Sequence, residues 1–195
     1  MKESAQQMRR RNEILESAKN VFSSAGYHKA DMNEIARCAN IAKGTIYLYF
    51  PSKIELFIAV IKDGLENLAQ KITSEIEIIN SSVDKIKKAI SSYMMFFSDN
   101  QELYRILLHP DLDFNVELRK FVKDVKLSKL PQLSATIKKG IEKGEIREVD
   151  EKSLSYMILG MTDFLLFQWL SNPNAEPIEK KIDQINDILF RGISV

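Results

Sequence analysis

The chain is poor in the residues that stop or cross-link a backbone. Its 195 residues include one cysteine, Cys38, so no disulfide can close within it. That thiol is expected to pack as a small hydrophobe. Five prolines and seven glycines are too few for a loop-built scaffold, and no Gly/Ser linker interrupts the chain. The only two histidines, His28 and His109, lie far apart without ligand-spaced partners, so no metal site is expected. There is no Gly-rich phosphate loop and no G-x-S-x-G, and no constellation for catalysis assembles from what remains. The expectation is a protein that is not an enzyme, with no catalytic residue and no cofactor. Strand-like alternation is scarce, and no charged, apolar and small-residue leader opens the chain. The most apolar stretch, residues 154–170, is interrupted by Asp163 and Gln168 and falls short of the ~20 residues that a bilayer demands. It reads as a helix buried on two sides, against a core or cavity on one and a partner subunit on the other. No membrane is expected.

Net charge is +1, which by itself selects no partner. Its distribution does. Residues 1–53 carry nine Lys/Arg against five Asp/Glu, while the rest carry nineteen against twenty-two. A basic head on a mildly acidic body fits one end touching nucleic acid. Within the head, Arg9, Arg10 and Arg11 precede a helix with Ile14, Ala18, Val21, Phe22 and Ala25 on one face; the run reads either as a solvated helix start or as a phosphate or minor-groove contact. Gly26 ends that helix. Tyr27 packs between helices or donates to a phosphate.

The stretch ADMNEIARCANIAKGTIYLYFPSK, residues 30–53, organises the head. Asp31 and Glu34 have the spacing of a capping box, which starts a short helix near Met32 with Ile35, Ala36 and Ala39 on its apolar side. Asn40 tolerates the left-handed conformation that ends a helix tightly. A second short helix runs from about Lys43 to Phe50, with Ile46 and Phe50 inward and Lys43, Thr45, Leu48 and Tyr49 outward. Pro51 closes it. Two short helices with a tight turn between them, the second showing a basic, hydroxyl-bearing and aromatic surface, form a helix-turn-helix DNA reader.

Gly26-Tyr27, Ile35-Ala36, Lys43-Gly44-Thr45-Ile46-Tyr47, Tyr49-Phe50 and Ser52-Lys53 together resemble the DNA-binding signature of the TetR family of regulators, over roughly residues 10–57. The resemblance implies an all-α homodimer of about nine helices. A three-helix head, residues 1–51, binds double-stranded operator DNA. A body, residues 52–195, dimerises and binds a small hydrophobic effector that releases a palindromic operator, all in the cytoplasm. It also implies phosphate contacts from Lys43, Tyr47, Tyr49, Lys53 and Tyr27, and groove contacts from Gly44 and Thr45. Two departures stand out. Ala42 occupies the usual Ser/Thr position and cannot cap the second helix. Leu48 replaces a common aromatic and cannot donate to phosphate.

The body reads as helices throughout. Ser52 caps a long one that keeps its period to about Asn80, and as a rigid lever it is expected to carry movement from body to head. Further stripes run over Ser82–Ser98, Asn100–Leu108, a kinked helix from about Asn115 across Pro131 to Lys143-Gly144-Glu145, a helix capped by Asp150, and a last one opened by Pro177. His109-Pro110-Asp111 is a break. Candidate pocket residues are Tyr93, Met94, Phe97, Tyr104, Leu107, Phe121, Met157, Met161, Phe164 and Trp169; at helical spacing such a set is equally plain core. Asp163 reads as a surface residue, a dimer contact or the polar anchor of a ligand. Ile182, Ile185 and Leu189 are the candidate dimer stripe. Residues 115–119, 139–146 and 158–170 resemble the fatty-acid-degradation branch of the family, which implies a long-chain acyl-CoA effector.

Overall fold

Every regular element in the computed structural model is an α-helix, over the residues the structure describes, 5–108, 116–172 and 176–192. In chain order these are α1 (Ala5–Lys29), α2 (Met32–Cys38), α3 (Lys43–Tyr49), α4 (Lys53–Glu77), α5 (Ser82–Asp99), α6 (Gln101–Leu108), α7 (Val116–Leu127), α8 (Leu130–Glu142), α9 (Glu151–Leu170) and α10 (Ile178–Arg191). They fall into two compact units, Met1–Asn67 with Asn100–Lys123, and Leu68–Asp99 with Asp124–Val195. His109-Pro110-Asp111 lies outside the described residues.

The first unit is built on α1. Ile14, Ala18, Val21 and Phe22 bury one face of it, and the Phe22 ring meets Phe57 of α4 edge-on at 4.8 Å. Gly26 breaks the helix as expected, at φ 73° and ψ 170°, a conformation only glycine adopts at ease. α2 and α6 both pack on α1. Leu103 and Ile106 of α6 are buried, and a Cβ at Gly64 of α4 would come within 2.4 Å of Leu103 Cδ2. Residues past position 100 therefore pack with the head. No single helix among the described residues is long and apolar enough to cross a membrane. The α3–α4 pair reaches that composition together, but it is bent by 63° and buries Ile46, Phe50, Leu56, Phe57 and Ile61 within this unit.

In the second unit α5 packs against α8, α9 and α10. Ile90, Met94 and Phe97 of α5, Ile137 of α8, Ile158 and Leu166 of α9 and Ile185 of α10 form its core. The expected kinked helix from 115 to 143 is in fact two. α7 stops at Leu127, the Ser128 N–H bonds back to Asp124 O at 2.8 Å, and α8 begins at Leu130 with Pro131 in its first turn. Pro131 suits a helix start, where its missing N–H costs nothing. Two turn residues keep the apolar stripe in phase without keeping the helix. α4 ends at Glu77, short of the expected Asn80, and at 25 residues spans about 37 Å.

The α5 N-terminus is capped from a distance. Glu145 Oε2 accepts from the Ser82 N–H at 2.6 Å, from the Val83 N–H at 3.3 Å and from Ser81 Oγ at 3.0 Å. The carboxylate thus satisfies donors that the helix leaves open and sits at the positive end of its dipole. Gly144, at φ 71°, turns the chain to deliver it. Gly140 leaves room for Ile146, whose Cδ1 would stand 2.6 Å from a Cβ there. Partial desolvation raises the Glu145 pKa, but the bonds from Val83, Ser81 and Ser82 outweigh it and hold the carboxyl below its ordinary value. A folded-state pKa below the unfolded one contributes stability that is present above the unfolded value and is lost as pH falls through the folded one. The Glu145→Gln variant is therefore expected to melt below the wild type at neutral pH. The gap should close as pH drops below the ordinary glutamate value of about 4.3. Thermal melts of both proteins between neutral and acid pH check this, and a gap independent of pH would show that the charge plays no part.

Candidate functional site

Local rules fold residues 31–53 into two short helices set at a fixed angle. Asp31 caps α2 by accepting from the Asn33 N–H at 2.8 Å. Here the expected box is corrected: the cap takes the Asn33 donor, with the Asn33 side chain also bonded to Asp31, while Glu34 lies 3.9 Å from Arg37. At the other end Asn40 adopts φ 52°, as its place after the helix predicts. The Ile41 N–H bonds to Ala36 O at 3.0 Å and the Asn40 N–H to Arg37 O at 3.2 Å, the paired closure of a left-handed helix end. α3 then starts at Ala42 without a side-chain cap, as the methyl side chain dictates. Ser52 opens α4 as a side-chain cap: its hydroxyl accepts from the Glu55 N–H at 3.2 Å and donates to Glu55 Oε1 at 3.3 Å. Cys38 is exposed at the last turn of α2, contrary to the expectation that it packs; the apolar side of α2 is taken by Ile35 and Ala36.

α3 presents two faces. Ile46 and Phe50 are buried. Lys43, Gly44, Tyr47 and Leu48 are exposed, and Thr45 and Tyr49 half-exposed. A Cβ on Gly44 would meet nothing within 4 Å. The helix needs no glycine there for its own sake, so the missing side chain matters only to something that approaches from outside. Beneath α3, the Arg11 guanidinium stacks on Phe50 at 5.4 Å, while Arg9 and Arg10 pair with Glu13 at 3.2 and 2.7 Å. The arginine run is thus partly spent on its own helix. Tyr27 packs against Phe57 at 5.1 Å and His28 at 5.4 Å. Burial pushes its hydroxyl pKa up, so it stays a neutral donor. Lys53 spans the gap: its Nζ donates to the His28 carbonyl at 3.0 Å and lies 4.8 Å from the centre of the Tyr27 ring. The seven expected DNA contacts all belong to the first unit, Lys43, Gly44, Thr45, Tyr47 and Tyr49 on or beside one outer surface, with Tyr27 and Lys53 joined to each other next to the α4 start.

The expected pocket residues are distributed over both units. Tyr104, Leu107 and Phe121 belong to the first unit, and Tyr93, Phe97, Met157, Met161, Asp163 and Phe164 to the second. What the second unit joins is Tyr93, Phe97 and Asp163. The Tyr93 hydroxyl donates to Asp163 Oδ1 at 2.8 Å, and its ring meets Phe97 edge-on at 5.0 Å. Trp169 is core, its indole N–H donating to Glu176 O at 2.8 Å. Burial within the chain separates the remaining candidates. Met157 and Phe164 are 67% and 66% exposed, on the side of α9 that faces away from Ser155, Ile158, Thr162 and Leu166. Ile182 and Ile185, expected at a dimer interface, are buried at 7% and 0% within the chain, and Leu189 is half-buried. The cause is periodicity. α10 has a single apolar stripe and uses it against α5 and α9. α9 is apolar all round, so the side opposite its own core remains open, and sequence alone does not say which side that is.

Comparison with known proteins agrees with this architecture. Residues 14–60 match the bacterial regulatory proteins of the tetR family, and residues 80–193, more than half of the chain, match the tetracyclin repressor-like C-terminal domain. The fatty acid metabolism regulator protein of Bacillus subtilis strain 168 is 26% identical over 182 residues, 93% of this chain and 94% of that one. The crystal structure of the regulator FadR from Bacillus subtilis, in complex with stearoyl-CoA, superposes with a TM-score of 0.82 at 26% identity, covering 94% of this chain and 99% of that one. FadR from Bacillus halodurans, a fatty acid degradation regulator, shares the fold with a TM-score of 0.81 at 24% identity over 94% and 99% of the two chains. With a helix-turn-helix in one unit and a matching C-terminal domain after it, this chain belongs to the TetR family of DNA-binding transcriptional regulators.

Proposed function

We propose that the protein works as a cytoplasmic homodimer whose two α3 helices read a palindromic operator, and that a long-chain acyl-CoA bound by the body loosens that grip. The observation that carries the DNA contacts is the outer face of α3. Its open Gly44, the exposed Lys43 and Tyr47 and the half-exposed Thr45 and Tyr49 suit close approach to a phosphate backbone and a groove. Lys43→Ala is expected to weaken binding on all sequences alike and to reduce the salt slope by about 1 per head. Thr45→Ala is expected to change operator preference instead. Gly44→Leu has space to fold and is expected to keep its helicity while losing the operator. Gel shifts over a salt series, with circular dichroism alongside, test all three; wild-type salt dependence in Lys43→Ala together with operator binding by Gly44→Leu would remove α3 from the contact.

Dimerisation is supported by the open side of α9. Tyr156, Met157, Phe164 and Phe167 are exposed there, with Gly160 unobstructed between them and Ile188 of α10 exposed as well. An aromatic and methionine stripe with a glycine at its middle suits a second copy of the same helix at close range. A Met157→Asp, Phe164→Asp double variant is expected to stay folded and sediment as a monomer. Ile185→Asp, which buries a charge in the core, is expected to unfold the second unit. A dimer that survives the double variant places the interface on another surface.

The effector rests on the likeness to FadR, whose structure holds stearoyl-CoA. Tyr93, Phe97 and Met161, beside Asp163, are the residues of the second unit best suited to an apolar chain. Turning a population from mostly bound to mostly released takes about 5.5 kcal/mol of differential affinity. About 220 Å² of acyl surface buried only in the released state supplies that at about 25 cal/mol per Å². Stearoyl-CoA titrated against the operator complex is expected to release DNA, and Met161→Trp to blunt the release while leaving operator affinity unchanged. Operator affinity indifferent to every acyl-CoA would leave a regulator with a different effector class.

A further inference from the structure

We propose that Leu48 is a sequence-reading residue that recognises a thymine by its methyl group. Ile46 and Phe50 define the inward side of α3, both buried. Leu48 lies two residues from each, which at 3.6 residues per turn points it away from the core. It is 84% exposed. Gly44, one turn earlier on the same side, has no side chain to shield it and nothing within 4 Å. A lone exposed leucine is ordinary on a protein surface. This one stands at the centre of the surface that the helix-turn-helix turns toward DNA, which is the reading on which this inference rests.

The chemistry of that surface narrows the partner. Leucine cannot donate to a phosphate and carries nothing to match the donors and acceptors of base edges. In the major groove the apolar feature of a base edge is the thymine C5-methyl. Lys43 and the hydroxyls of Thr45, Tyr47 and Tyr49 supply the polar contacts around it, so a hydrocarbon at the centre adds base preference without adding charge. It is a specificity residue and makes no contribution to the salt-dependent part of binding.

The test uses the full chain and a duplex that the chain itself enriches from a random-sequence pool. Each thymine is replaced in turn by deoxyuridine, which removes the methyl and nothing else. Affinities are measured at low salt, where phosphate contacts keep weakened variants bound. The wild type is expected to lose about fourfold at one thymine, and about fifteenfold when the symmetric thymine is replaced too. Leu48→Ala is expected to bind the thymine and deoxyuridine duplexes equally. Leu48→Met, which keeps an apolar tip, and Lys43→Ala are expected to retain the discrimination. A wild type indifferent to every deoxyuridine, or a Leu48→Ala protein that still discriminates, overturns the assignment of Leu48 and leaves the DNA reader standing. Failure of the pool to yield any enriched sequence overturns the DNA reading itself, and this inference with it.

Discussion

Two buried side chains, Ile46 and Phe50, hold the reading helix in place. A helix of seven residues has no stability of its own in water, and α3 begins without a side-chain cap. Burying one large aliphatic and one aromatic side chain contributes roughly 1.5–3 kcal/mol each, which a cap alone does not match. The Arg11 guanidinium on Phe50 and the left-handed Asn40 before α3 fix the direction from which the helix leaves its unit. Once those inward positions are filled, the outer ones are free of structural duty. That freedom lets Gly44 and Leu48 stand at the surface, where neither would be chosen for folding.

The parts of this protein that were legible in its sequence are those decided within one turn of chain. Asn40, Ala42, Ser52, Gly144 and Asp150, which caps α9 by accepting from the Ser153 N–H at 2.7 Å, each act through their own backbone or the next few residues, and Asp31 caps α2 though on Asn33 rather than in a box with Glu34. Cys38 and the pair of faces on α9 were not legible, because burial of one side or the other depends on which neighbours arrive. The stripe across residues 115–143 misled for a related reason. Apolar phase does not require an unbroken hydrogen-bond ladder, so α7 and α8 carry one stripe on two helices. Ile182 and Ile185 are buried within the chain while Met157 and Phe164 are exposed, because a single stripe is claimed first by its own chain.

The turn at residues 139–146 shows how a resemblance and a physical role diverge. It was one of the stretches that suggested a branch of the family and so an effector. In the structure its glycines and Glu145 serve architecture: Gly140 admits Ile146, Gly144 reverses the chain, and Glu145 closes the α5 N-terminus. The bond joins residues 63 apart in sequence, beyond the reach of any local rule. A residue pattern shared for structural reasons travels with a fold whatever ligand its members bind. The case for an acyl-CoA therefore rests on the likeness of the whole chain to FadR and not on this turn.

The scarcity of two residue types has a practical consequence. Cys38 is exposed on the first unit and Trp169 is buried in the second, and each is the sole residue of its kind in the chain. A maleimide dye or nitroxide on Cys38 marks the helix next to the reader without any engineered site. In a homodimer two such labels measure the head-to-head distance directly by pulsed spectroscopy. Trp169, tied by its indole to the Glu176 carbonyl at the approach to α10, supplies an independent optical signal from the body. The unmodified protein thus carries one reporter in each unit, so that motion in the two can be followed, and timed against each other, in a single sample.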